Sequence, residues 1–135
     1  MIEQNRALAI NWFTEVWDQA NPDAIDKYFA ADGHCYGFPE PDSDLTLAEY
    51  KAVHAQFLNS FSNIKVRVDD TIAEGDRIAI RWVAHMTHTG DALGFAATGK
   101  FVVMGGSSFC ECAGGQITKG WNYMDFTKVL AQLQA

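Results

Sequence analysis

At 135 residues, with 48% hydrophobic and 20% charged residues, the chain has an ordinary globular balance and length enough for a core. Its net charge of −7 argues against nucleic acid or an anionic membrane as partner, because both select a basic surface. Three cysteines, an odd count, point to a reduced cytoplasmic protein, and no run approaches the ~20 apolar residues of a membrane span.

The first segment carries Glu3 and Arg6 and lacks the apolar run and cleavage site of a signal peptide. Ala9, Trp12, Phe13, Val16, Trp17 and Ala20 then fall on one face of an amphipathic helix. Asn21-Pro22 stops that helix and starts a second, because Asn caps and Pro suits the first helical position. Ala24, Ile25, Tyr28 and Phe29 mark its buried side, and Asp32-Gly33 ends it. A short strand over 34–38 and a turn-rich loop, PEPDSD, follow. Thr46-Leu47-Ala48-Glu49 is a capping box opening a third helix. Leu47, Tyr50, Val53, Phe57, Leu58 and Phe61 are expected on its buried face, with His54 towards solvent.

From Ile64 the period changes to two, and Ile64, Val66 and Val68 alternate with charged residues as in a half-buried strand. Glu74-Gly75-Asp76 reads as a hairpin turn. The next strand puts Ile78, Ile80, Trp82, Ala84, Met86 and His88 on one face. Arg77, Arg81, Val83 and His85 lie on the other. A long connection, TGDALGFAATGK, leads to a third long strand, in whose middle Gly105-Gly106 predicts a bulge or sharp bend. Gly114-Gly115 turns into a last strand over 116–124, and a terminal helix follows. Helices first and long antiparallel strands afterwards argue for an α+β fold rather than a doubly wound sheet. A bent sheet around helices makes a cone with an apolar interior. One domain over residues 1–135 is expected.

Asp125 stands where the last strand gives way to the terminal helix, and two readings are open for it. As an N-cap it would accept the amide of Thr127 or Lys128. Inside the cone, desolvation would raise its pKa and make it a general base. His88 would sit at the rim, either donating to a substrate carbonyl or satisfied by backbone at a strand end. Tyr36 would offer a hydroxyl to a ligand or pack as an aromatic with its hydroxyl at a rim. Trp82, Met86, Met104, Trp121 and Tyr123 would wall the pocket or belong to core and interface, since the parity facing the cone is not marked. Cys110-Glu111-Cys112, without a second ligand cluster, is too little for a zinc site, and no metal is expected.

The runs VWDQANPDAIDKYFAAD, IAEGDRIAIRW, THTGDALGFAATGK, GGQITKGWNYMD and LAQL resemble the SnoaL-like, polyketide-cyclase-like family of the nuclear-transport-factor-2-like (cystatin-like) superfamily. The resemblance covers nearly the whole chain, with the motifs in order and spacing. It implies a cone-shaped barrel of a strongly curved, mainly antiparallel sheet wrapped around N-terminal helices. It also implies a homodimer through the outer face of the sheet, and a pocket for small molecules that works without metal or organic cofactor. In the family's cyclases an Asp in a Trp-x-x-x-Asp stretch is the acid/base of an aldol closure; it falls on Asp125, four residues after Trp121. Two departures stand out. Tyr36 occupies the place of a His found in many relatives, and no His occurs from Lys100 to Gly115. The resulting expectation is a cofactor-independent aldol cyclase or isomerase acting on a neutral carbonyl compound, with Asp125 as acid/base and His88 and Tyr36 as donors. A non-catalytic ligand-binding or dimerisation module of the same fold is the alternative.

Overall fold

Apolar spacing in the first twenty residues builds a helix whose second half widens. In the structure, a computed structural model that describes residues 2–134, helix α1 (Ile2–Trp12) passes directly into a π-helical turn, Phe13–Asp18. The wider turn shows in the Gln19 amide, which donates to the Thr14 carbonyl five residues back at 2.8 Å. The added residue rotates the apolar face, so Trp12, Phe13 and Val16 are buried and Trp17 partly so. The single regular helix expected here is therefore interrupted, which spacing alone does not reveal.

The second helix starts later than Asn21-Pro22 suggested: Asn21 Oδ1 accepts the Asp23 amide at 3.1 Å in the preceding turn, and the short α2 (Ala24–Tyr28) has Asp23, not Asn21, at its N-cap. Strand β1 (Phe29–Tyr36) then begins earlier than the predicted end of that helix at Asp32-Gly33. Phe29 is the reason: its ring is buried against Trp12, with centroids 5.4 Å apart. Gly33 makes room for it, since a Cβ there would lie 2.4 Å from the Phe29 ring. Strand β2 (Asp44–Thr46) leads into α3 (Leu47–Leu58), which opens on the predicted capping box. Thr46 Oγ1 accepts the Glu49 amide at 3.3 Å, and Glu49 Oε1 accepts the Thr46 amide at 3.0 Å. On α3, Tyr50 is buried at 5% exposure and His54 at 0%, which corrects the solvent-facing expectation for His54.

Four long strands complete the sheet: β3 (Phe61–Glu74), β4 (Arg77–His88), β5 (Phe101–Ala113) and β6 (Gln116–Met124). The order of the six strands is β2-β1-β6-β5-β4-β3, antiparallel throughout except for β1 beside β6. The sheet curls around α1, the π turn and α3, an α+β architecture. Ile78, Ile80, Trp82, Ala84, Met86 and His88 are all buried, so this face of β4 is the inner one. Gly105-Gly106 makes no bulge: Trp82↔Gly106 and Val83↔Gly105 continue the β4–β5 register unbroken. The physical need for glycine is clearance, because a Cβ at Gly106 would lie 2.6 Å from the Trp82 ring. Helix α4 (Phe126–Gln134) closes the chain, burying Val129 and Leu133. Among the described residues no helix is long and apolar enough to cross a membrane.

Candidate functional site

The inner face of the sheet and the helices it wraps enclose a cavity of about 50 Å³. Its wall is aromatic on the helix side (Trp12, Phe13, Trp17, Tyr50, Phe57) and carries Trp82 and three methionines, Met86, Met104 and Met124, on the strands. Trp82, Met86 and Met104 thus line the cone. Tyr36, Trp121 and Tyr123 do not. In the paired strands Cys35 and Cys110 both face Gly120 inwards, so the next positions, Tyr36, Phe109 and Trp121, point outwards. Tyr36 stacks on Trp121 at 5.4 Å, and Tyr123, 60% exposed, meets Phe109 edge-on at 6.1 Å. The expectation that these three wall the pocket is corrected by strand alternation: position 120 is inward, so 121 and 123 are outward.

Asp125 is exposed and lies at the N-terminus of α4, where its Oδ1 accepts the Lys128 amide at 3.0 Å. That bond satisfies one of the orphan donors of the first helical turn. The carboxylate borders an outer groove with Asp69, Arg81 and Tyr123 and is absent from the cavity wall. Arg81 itself is engaged loosely with Asp69 and Asp70, at 3.9 and 4.0 Å.

His88 is fully buried, between the rings of Phe61 and Phe95 at 5.4 and 5.3 Å. The Thr98 amide donates to its Nδ1 at 3.1 Å, and the Thr98 hydroxyl lies 3.0 Å from the same atom. Two donors on Nδ1 leave the proton of the neutral ring on Nε2, which has no partner among the described residues. Backbone bonds from His88 to Lys100 and from Gly99 to His88 add to the same anchorage. His88 therefore ties down the 89–100 connection and is not part of the cavity wall. Asp125, His88 and Tyr36 are not brought together.

The polar groups that do face the cavity are different ones. Asn122 lies one residue beyond Trp121 and points inwards with Gly120 and Met124. The Trp82 indole donates to Ser108 Oγ at 3.1 Å, and Ser108 Oγ donates to Asn122 Oδ1 at 2.8 Å. Asn122 Nδ2 in turn donates to the Tyr36 carbonyl at 3.1 Å and towards Cys35 Sγ at 3.2 Å. Across the cavity the Trp17 indole donates to the Tyr50 hydroxyl at 3.0 Å. Tyr50 had been placed on a buried helix face by its spacing, but nothing in that spacing distinguished a cavity wall from solid core. Asn122 escaped notice because parity on β6 is set by its parallel pairing with β1, which no local pattern marks.

Burial decides the ionisation of this interior. The Tyr50 phenol is held well above its ordinary pKa of 10 by burial, and burial pushes the Cys35 and Cys110 thiols up to about 12. Tyr50 is the only titratable side chain of the cavity wall among the described residues, and it is neutral at physiological pH. No three His, Cys, Asp or Glu side chains come together as metal ligands among the described residues.

No curated protein matches the chain. Solved structures do. A candidate polyketide cyclase from Acidithiobacillus ferrooxidans is 27% identical, with 97% of this chain and 94% of that one covered and a TM-score of 0.83. AclR, a candidate hydroxylase from Streptomyces galilaeus, is 22% identical, with coverages of 99% and 87% and a TM-score of 0.88. IdmH, a candidate polyketide cyclase from Streptomyces antibioticus, is also 22% identical, with coverages of 98% and 99% and a TM-score of 0.84. The last two likenesses are of fold alone. The family model described as SnoaL-like polyketide cyclase matches residues 7–133, nearly the whole chain, and the chain therefore belongs to the SnoaL-like polyketide cyclase family.

Proposed function

We propose that this protein binds a small, neutral, largely apolar molecule in its cone without using Asp125 as an acid or base. The observation that carries the reading is the cavity wall, whose one titratable side chain is a phenol held neutral by burial. A proton-transfer catalyst needs a group whose pKa lies near the working pH and which reaches the reacting atom. Asp125 instead spends an oxygen on the α4 cap and faces an outer groove. An ionic ligand would meet no counter-charge in the wall, which selects a neutral one.

The cavity of about 50 Å³ is smaller than the ~150 Å³ that holds a benzene ring. A ligand of that size enters only by moving side chains, and the wall is built for it. Met86, Met104 and Met124 are unbranched and polarizable, with three rotatable bonds each, and re-pack at low cost. Met124 borders both the cavity and the grooves at its mouth, so its displacement would join them. A reducing, cytoplasmic setting fits the three buried free thiols.

The competing reading is the acid/base enzyme, which family membership favours. Two substitutions separate them. Asn caps a helix about as well as Asp, whereas Ala does not, and neither can accept a proton. On the binding reading, Asp125→Asn leaves stability and ligand affinity unchanged, while Asp125→Ala lowers stability by about 1 kcal/mol and leaves affinity alone. Chemical denaturation and titration with cyclic and aromatic ketones measure both. Turnover of any such ketone by the wild type that Asp125→Asn abolishes would overthrow the binding reading.

A further inference from the structure

Indole nitrogen is a donor only, so in the bond between Trp17 and Tyr50 the phenol oxygen must be the acceptor. The hydroxyl hydrogen of Tyr50 is then unspent, because among the described residues its oxygen has no other partner. Tyr50 is 5% exposed, and a buried donor left without an acceptor is destabilising. Both Trp17 and Tyr50 line the cavity, so the unspent donor belongs to its wall.

The remaining polar atoms of the wall have the opposite status. Asn122 Oδ1 accepts from Ser108, Ser108 Oγ accepts from Trp82, and Asn122 Nδ2 donates to Tyr36 and Cys35. The wall therefore has a donor to give at Tyr50, while Asn122 and Ser108 are tied to one another and to their neighbours. Resting on the reading that the cone is the binding site, we propose that Tyr50 is its recognition residue. Its hydroxyl donates to a carbonyl or ether oxygen of an uncharged ligand.

Geometry supports a fixed donor. The Tyr50 ring is held by Trp12, Phe29 and Phe38, with centroids 5.5, 6.3 and 5.9 Å away, and the Trp17 indole orients its oxygen. Because burial keeps the phenol protonated, the donor is present across the physiological pH range.

The test is a matched pair of probes, cyclohexanone and methylenecyclohexane, which differ in having an oxygen or a CH₂ at the same place. Trp12, Trp17 and Trp82 line the cavity, so quenching of intrinsic fluorescence reports binding of either. The wild type is expected to bind the ketone about tenfold more tightly than the hydrocarbon. Tyr50→Phe combined with Trp17→Phe, which removes the indole donor that loss of the phenol oxygen would free, is expected to lose that preference while keeping its affinity for the hydrocarbon. Equal affinity of the wild type for both probes, or a ketone preference that survives undiminished in the double variant, would overturn the assignment while leaving the cone as a binding site. Failure of the wild type to bind either would overturn the binding site and the assignment together. The carbonyl infrared band of ¹³C-labelled ketone bound to the wild type needs no variant. A shift to lower wavenumber than in hydrocarbon solvent upholds the hydrogen bond, and an unshifted band refutes it.

Discussion

His54 is a buried base with one nitrogen spent and one idle. Its Nε2 donates to the Val16 carbonyl at 2.8 Å, a carbonyl released from the helical ladder by the π turn, while Nδ1 is buried without a partner among the described residues. Trp17 stands edge-on to the ring at 4.6 Å. Burial lowers the His54 pKa below its ordinary 6.5, and the bond to Val16 only partly opposes this. The unfolded chain therefore binds a proton that the folded chain refuses in the window below about 6.5. Stability from this residue is complete above that value and is lost as the pH falls towards the lowered folded value. His54→Gln keeps an amide donor for Val16 but does not titrate. Between pH 7.5 and 5 its melting temperature is expected to decline less than that of the wild type. Parallel declines would mean that His54 contributes nothing to acid sensitivity.

Helix α4 shows how an element can stand in for a strand. Strand β6 stops pairing with β5 at Gly106↔Met124, leaving the first residues of β5 with an open edge. Gln132 covers it: its Oε1 accepts the Val103 amide at 3.0 Å and its Nε2 donates to the Val103 carbonyl at 2.9 Å. One side-chain amide thus repeats the two-way exchange of an antiparallel pair. Gln132→Ala should destabilise by about 1 kcal/mol, tempered because water reaches Val103. Gln132→Glu should do no better at pH 7, since a carboxylate can accept from Val103 but cannot donate to its carbonyl. Urea unfolding that finds the Glu variant as stable as wild type would remove the clamp from the account. The same element marks the limit of sequence reading. The amphipathic run Phe126, Val129, Leu130, Leu133 is legible as a helix, and Asp125 as its cap. Gln132 is polar in a polar stretch, and its partner lies 29 residues away, so no local signal announces it. The inner face of β4 was legible from alternation, and with it Trp82 and Met86 as cavity wall. Parity on β6 was not, which is why Trp121 and Tyr123 were expected inside and Asn122 was passed over.

At the scale of the whole molecule, the outer face of the sheet is too apolar to be only a solvent surface. Ile72, Phe101, Phe109 and Tyr123 are 69, 64, 50 and 60% exposed, and they come from the neighbouring β5 and β6 and from the outermost β3. His85 stacks on Phe101 at 5.6 Å and extends the patch, while Arg67–Asp69 and Arg77–Glu111 pairs stand among these residues. Apolar residues interspersed with mixed-sign charge are the make-up of an interface between like subunits. We therefore expect a dimer through this face, leaving the two cones independent, since the cavity lies on the opposite, inner side of the sheet. Each chain carries −7, so long-range repulsion opposes association, and the dimer should tighten as salt screens it. Light scattering should find twice the 14.9 kDa chain mass. Phe109→Glu combined with Tyr123→Glu places two carboxylates per subunit on the patch, with no side chain of the cavity wall altered. That variant is expected to be a folded monomer that retains ketone binding. A wild type that remains monomeric at all salt concentrations would refute the interface, and a dimer indifferent to the double substitution would locate it elsewhere.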